Sequence, residues 1–111
     1  MFFSKTLSQG RAKPAEVHDM LANRESFLLL DVRTQAEYMG AHIAGSTLLP
    51  LDRLEQDAGR VIPQKNTPVV VYCASGARSA QASRVLRSMG YEDVRDMGGI
   101  MSWPFGVVSG R

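Results

Sequence analysis

Two apolar runs in the chain, Phe27-Leu-Leu-Leu30 and Val69-Val-Val-Tyr-Cys73, are uninterrupted rather than alternating. Runs of this length are too short for helices, and their continuity predicts strands of a parallel sheet covered on both faces. Ser46-Thr-Leu-Leu49, closed by Pro50, and Tyr91-Glu-Asp-Val-Arg-Asp-Met97 predict two further short strands. Between them the apolar spacing turns helical. Val17, Met20 and Leu21 follow Pro14, a good first-turn residue, with Glu16 and Asp19 on the wet side. Thr34 and Glu37 stand in capping-box register for a helix over 34–39 that Gly40 stops. Leu51, Leu54, Ala58 and Val61 line a broken helix, and Ala82, Val85, Leu86 and Met89 line a longer one that Gly90 closes. Gly98-Gly99 reads as a tight turn, and Ile100-Met-Ser-Trp103 as a helix start limited by Pro104. Phe2, Phe3 and Leu7 fit a short edge strand or a fraying end equally well. Strands alternating with helices predict a doubly wound α/β sheet, whose ligands sit beyond the carboxyl ends of the strands.

Composition adds limits to that picture. The chain has 111 residues, 44% of them hydrophobic and 22% charged, which predicts a single domain over 1–111 with one core system. Thirteen basic residues are scattered among eleven acidic ones for a net charge of +2, so no basic run supports nucleic-acid binding. No apolar run approaches the ~20 residues that span a bilayer, and the opening Met1-Phe-Phe-Ser-Lys-Thr-Leu-Ser lacks a secretory pattern. The sole cysteine can form no internal disulfide, and the reducing cytoplasm is the expected location.

That cysteine carries the chemistry. Cys73 stands where a buried strand gives way to a helix, and Gly76 lets the intervening backbone curl. The first N–H groups of a helix have no intrahelical partners and point at whatever occupies such a turn, so an anion is favoured there. With Arg78 adding positive charge, the thiol is expected to titrate well below the free value of about 8.5 and to supply a thiolate nucleophile. His18 and His42 match no zinc spacing and read as structural, so no metal or cofactor is expected.

Leu28-Leu-Leu-Asp-Val-Arg33, Glu37-Tyr38, His42-Ile-Ala-Gly45 with Pro50, and Val69-Val-Val-Tyr-Cys-Ala-Ser-Gly-Ala-Arg-Ser79 with the closing Gly98-Gly99 and Trp103 together resemble a single-domain rhodanese. The resemblance runs from about Pro14 to Trp103. It departs from the family where Ala41 stands in place of a glycine and Leu48 in place of an asparagine. The resemblance implies a five-stranded parallel sheet with helices on both faces. It also implies a sulfurtransferase that takes a sulfane sulfur from a small anionic donor such as thiosulfate, through a persulfide on Cys73. The acceptor it implies is cyanide, a thiol or a thioredoxin-like protein. By the same resemblance the amides of Ala74, Ser75, Gly76, Ala77, Arg78 and Ser79 cradle the sulfur, and Arg78 attracts the donor.

Each assignment has a plainer competitor. A cysteine ending a buried strand also serves as a small hydrophobe, but Gly76, Arg78 and the helix start set Cys73 apart. Ser75 and Ser79 fit hydrogen bonds to sulfur or simple capping. Asp31 and Arg33 read as scaffold support beside a buried strand end, and Arg33 and Glu37 have the i,i+4 spacing of a surface pair. Trp103 reads as an anchor. Two other functions share the scaffold, a catalytically inactive partner-binding module and a phosphatase or arsenate reductase. The related cell-cycle phosphatases need five residues between cysteine and arginine, with histidine before the cysteine. Here four residues separate Cys73 from Arg78, and Tyr72 precedes.

Overall fold

The computed structural model of the protein describes residues 10–110, so Phe2, Phe3 and Leu7 lie outside the described residues. The two uninterrupted runs lie side by side at the centre, as β1 (Leu28–Asp31) and β3 (Val69–Cys73). β2 (Thr47–Leu48) flanks β1 and β4 (Val94–Gly99) flanks β3, giving the order β2-β1-β3-β4 with every pairing parallel. Around the sheet run α1 (Pro14–Ala22), α2 (Gln35–Gly40), α3 (Leu54–Val61) and α4 (Ala77–Ser88), with 3-10 turns at Leu51–Arg53 and Ile100–Ser102.

The alternation of side chains along β3 sorts the core into two layers. Val69, Val71 and Cys73 pack with Leu54, Ala58, Ala82 and Leu86 from α3 and α4. Val70 and Tyr72 pack on the opposite face with Val17 of α1, Ile43, Met97 and Trp103. All five residues of β3 are buried, as the unbroken apolar run requires when helices cover both faces.

Among the described residues the sheet has four strands rather than the five implied by the rhodanese resemblance. What lies at the outer edge of β4 is a single parallel bridge, Arg11 to Asp96, with Ala12 N–H donating to the Asp96 carbonyl at 3.2 Å. The pairing stops there for a local reason. Lys13 is already the N-cap of α1, its amide held by the Glu16 carboxylate at 2.7 Å, and Pro14 has no N–H to donate. Gly98 and Gly99 also differ from expectation, since they belong to β4 instead of forming a turn. The register slips by one residue, so that Tyr72 pairs with Gly98 and Cys73 with Gly99, and Gly98 takes φ +89° to accommodate the bulge. The capping box of α2 forms as expected, with Thr34 Oγ1 accepting from Glu37 N–H and the Glu37 carboxylate accepting from Thr34 N–H. Ala41 sits extended at φ −167°, a conformation open to any residue, so the missing glycine costs the turn nothing.

One buried hydroxyl is left over. Ser83 on α4 is 1% exposed and its Oγ has no hydrogen-bond partner among the described residues. Replacing it by alanine removes a desolvated polar group and improves helix propensity. Ser83→Ala should therefore raise the unfolding free energy by about 1 kcal/mol. Denaturant melts of the two proteins check this.

Candidate active site

The chain moves outward from β1 to β2 on one side and from β3 to β4 on the other, so the strand order reverses between β1 and β3. The carboxyl ends of those two strands border the crevice where open α/β sheets bind ligands. One ends in Asp31 followed by Val32 and Arg33, the other in Cys73.

Cys73 is the last residue of β3 and α4 begins at Ala77, so residues 74–76 make the whole turn. Gly76 holds the left-handed conformation, φ +118°, that folds this turn back over the sulfur. Its amide donates to Cys73 Sγ at 3.0 Å. The residue is 1% exposed, and burial pushes the thiol up. Hydrogen bonds from the Ser79 hydroxyl and from the amides of Ser79, Gly76 and Arg78 outweigh that burial, and the net shift is downward. The Ser79 hydroxyl has one proton and several acceptors near it: the Gly76 carbonyl at 3.1 Å, the Gly98 carbonyl at 3.5 Å, and the sulfur.

The turn is clasped from the end of β4 and the 3-10 turn that follows it. The Ala74 carbonyl accepts from Met101 N–H at 3.3 Å. A Cβ on Gly99 would overlap the Ala74 carbonyl and approach Ser75 Cα to 2.7 Å, so only glycine lets the strand and the turn pass this closely. Of the cradle residues assigned from sequence, Gly76 donates its amide to the sulfur at 3.0 Å, while Arg78 and Ser79 help to hold the thiol below its ordinary value. Ala74 joins the clasp through its carbonyl, while Ser75 and Ala77 are exposed.

The arginines are arranged differently from the sequence expectation. Arg33 does not pair with Glu37. It lies ahead of the N-cap Thr34, outside α2, and binds Asp31 with Nε at 3.0 Å and a terminal nitrogen at 2.7 Å. That terminal nitrogen also donates to the Ala41 carbonyl, at 2.6 Å. The pair is almost fully buried and ties the end of β1 to the residue after α2. Glu37 is taken by Arg78 instead, in a two-pronged ion pair at 2.7 and 2.9 Å. The Arg78 hydrogen bonds, helped by the Thr34 amide, pull the Glu37 carboxyl down to about 2. Arg78 thus acts on Cys73 chiefly through its backbone amide, with its guanidinium bound to a carboxylate. Beside Arg78, a cleft of about 640 Å³ opens between the start of α3 and α4.

His42 is buried, stacks on Tyr38 at 3.7 Å and donates through Nδ1 to the Tyr38 carbonyl. His18 stacks on Phe105, and Trp103 donates through Nε1 to the Gly106 carbonyl. No three His, Cys, Asp or Glu side chains gather as a metal site among the described residues, and no helix there is long and apolar enough to cross a membrane.

Residues 13–104 match the family model of the rhodanese-like domain. The chain belongs to the rhodanese-like sulfurtransferase family. This rhodanese-like chain is 37% identical over 71 residues to the thiosulfate sulfurtransferase PspE of Escherichia coli, a match covering 64% of this chain and 68% of that protein. It is 36% identical over 92 residues to the probable adenylyltransferase/sulfurtransferase MoeZ of Mycobacterium tuberculosis, covering 81% of this chain but 23% of that protein. Among solved structures, the rhodanese with anions from E. coli superposes with a TM-score of 0.72 at 33% identity, over 77% of this chain and all of that one.

Two outcomes test the geometry. The rate of Cys73 alkylation should rise with pH through a midpoint below that of a free thiol, because the donors around Sγ favour the anion. Ser79→Ala, which removes one of those donors, should move the midpoint upward, as iodoacetamide kinetics across pH would show. Gly99→Ala should leave a folded protein destabilised by about 1–3 kcal/mol through the forced shift of the turn. The same shift should bring its Cys73 midpoint close to the free-thiol value.

Proposed function

We propose that the protein carries a sulfane sulfur as a persulfide on Cys73, taking it from a donor such as thiosulfate and passing it to a thiophilic acceptor. The observation that carries this reading is the set of donors converging on one buried sulfur. The Cys73 thiolate attacks the outer sulfur of thiosulfate, forming an S–S bond. The S–S bond of the donor breaks, and sulfite leaves with its electron pair. Sulfite and persulfide are both anions, so the amides that favour the thiolate also favour the product side. Cyanide, a small thiol or a thioredoxin-like protein then attacks the outer sulfur and regenerates the thiolate. The E. coli relative named as a thiosulfate sulfurtransferase supports thiosulfate as donor. A lone thiolate that works without a disulfide partner suits the reducing cytoplasm.

The size of the turn favours sulfur over phosphoryl transfer. A transferring phosphoryl group has three equatorial oxygens to be surrounded, whereas a persulfide adds one atom to the cysteine side chain. Incubation with thiosulfate should add the mass of one sulfur atom to the protein, and cyanide or a thiol should remove it. Cys73→Ser should take up no sulfur and should lose turnover by about a thousandfold or more. Efficient hydrolysis of an aryl phosphate without any sulfur adduct would replace this reading with the phosphatase one.

A further inference from the structure

The one-residue slip in β4 falls between Asp96, which pairs with Val71, and Gly98, which pairs with Tyr72, so Met97 is the extra residue. A bulge of this kind interrupts the ladder, and a local contact has to hold it. Here the contact is a carboxylate. Asp96 Oδ1 accepts from Gly98 N–H at 2.8 Å, the bond to an amide two residues on that Asp and Asn side chains favour and serine makes more weakly. Among the described residues the half-buried Asp96 side chain has no other hydrogen bond and no ion pair. Its backbone is fixed as well, since the Asp96 amide donates to the Gly10 carbonyl at 2.8 Å and its carbonyl accepts from Ala12 N–H at 3.2 Å.

Gly98, the residue so held, stands behind the cysteine turn. A Cβ on Gly76 would meet Gly98 Cα at 3.9 Å, so the two glycines are neighbours in space at ordinary contact distance. Gly76 is the residue whose amide donates to Cys73 Sγ. The Ser79 hydroxyl lies near both of them, with the Gly76 carbonyl at 3.1 Å and the Gly98 carbonyl at 3.5 Å. One residue further on, Gly99 packs against Ala74 and Ser75. The geometry of the bulge is therefore the geometry of the surface on which the turn rests.

We infer that Asp96 is a positioning residue for the Cys73 nucleophile, its carboxylate fixing the β4 bulge and the bulge holding the Gly76 amide on the sulfur. Its consequence for sulfur transfer rests on the reading above, whereas its effect on the thiol does not. Without the carboxylate, Gly98 loses the bond that holds its N–H, the surface behind the turn relaxes, and the amide-to-sulfur bond weakens. Loss of a hydrogen bond to the anion raises the thiol's titration midpoint. The negative charge of Asp96 by itself works the other way, because a carboxylate disfavours a neighbouring thiolate and its removal lowers the midpoint. Positioning and charge thus predict shifts of opposite sign.

Iodoacetamide kinetics across pH, on the full chain and on Asp96→Ala, Asp96→Asn and Asp96→Ser, separate them. Asp96→Asn removes the charge but keeps an oxygen that accepts from Gly98 N–H, so its Cys73 midpoint should stay within about 0.2 pH unit of the unmodified protein's. Asp96→Ala should raise the midpoint by about half a pH unit or more, and Asp96→Ser by a smaller amount. Below the midpoint, half a unit means about threefold less thiolate, so sulfur loading from thiosulfate should slow about threefold in the alanine variant and not in the asparagine one. Should the alanine variant not fold, the order of serine above asparagine decides. The inference is overturned if alanine and asparagine lower the midpoint together, which is the signature of charge alone. It is equally overturned if a folded alanine variant melts at a lower temperature with its midpoint unchanged, which is the signature of a purely structural role. If the midpoints follow the expected order while the unmodified protein takes up no sulfur from thiosulfate, Asp96 positions the thiol and the sulfur-transfer reading is what fails.

Discussion

The site depends on how closely two stretches of backbone can pass. The turn after β3 lies against the end of β4 with no side chain between them, because Gly99 offers none, and the Ala74 carbonyl is held there by Met101 N–H. Fixing the turn from that side fixes the Gly76 amide that donates to the sulfur, and with it the start of α4, whose Arg78 and Ser79 also favour the thiolate. The bulge in β4 belongs to the same arrangement. Slipping the register by one residue sets Gly98 opposite Tyr72 and Gly99 opposite Cys73, which brings the glycine without a φ restriction to the point of contact. Donors already oriented by the fold need no reorganisation when negative charge forms on the sulfur.

Charge at the site is organised in the opposite sense to a simple basic pocket. Two arginines approach the turn and each is matched to a carboxylate, one pair buried and one half-exposed. The buried pair gains its geometry from three points along the chain, since Asp31 ends β1, Arg33 precedes α2 and the Ala41 carbonyl follows it. Breaking either member would leave an uncompensated charge in the core. The half-exposed pair joins α2 to α4 across the mouth of the site, and the same carboxylate caps α2. A change at Glu37 therefore acts on helix and ion pair together.

What could be read from the sequence was whatever depended on neighbours along the chain. The unbroken runs ending at Asp31 and Cys73, the Thr34 and Glu37 capping box, and the strand-to-helix junction with Gly76 are all local, and the structure has each of them. Arg33 and Glu37 had a helical spacing but no helix under the first of them, since α2 begins only at Gln35. The partner Glu37 does have is 41 residues away, and no pattern along the chain encodes that contact. Gly98-Gly99 read as a turn because paired glycines usually make one; the reason for them is the turn of another strand, invisible until the sheet is assembled. The fifth strand came from the family resemblance alone, and Lys13 and Pro14 show why pairing past Arg11 gives way to a helix.

The depth of the sulfur has a consequence for regiochemistry. A persulfide offers an incoming nucleophile two sulfur atoms. Attack on the outer one delivers sulfur to the acceptor and releases the cysteine thiolate, whereas attack on the inner one makes a mixed disulfide and expels hydrosulfide. With Cys73 1% exposed and the backbone of residues 74–76 folded over it, the inner atom of a persulfide there would be the more shielded of the two, and the Gly76 amide would favour its departure as thiolate. On the proposed reaction the fold would shield one electrophilic centre more than the other, which would keep the chain from ending each cycle cross-linked to its acceptor.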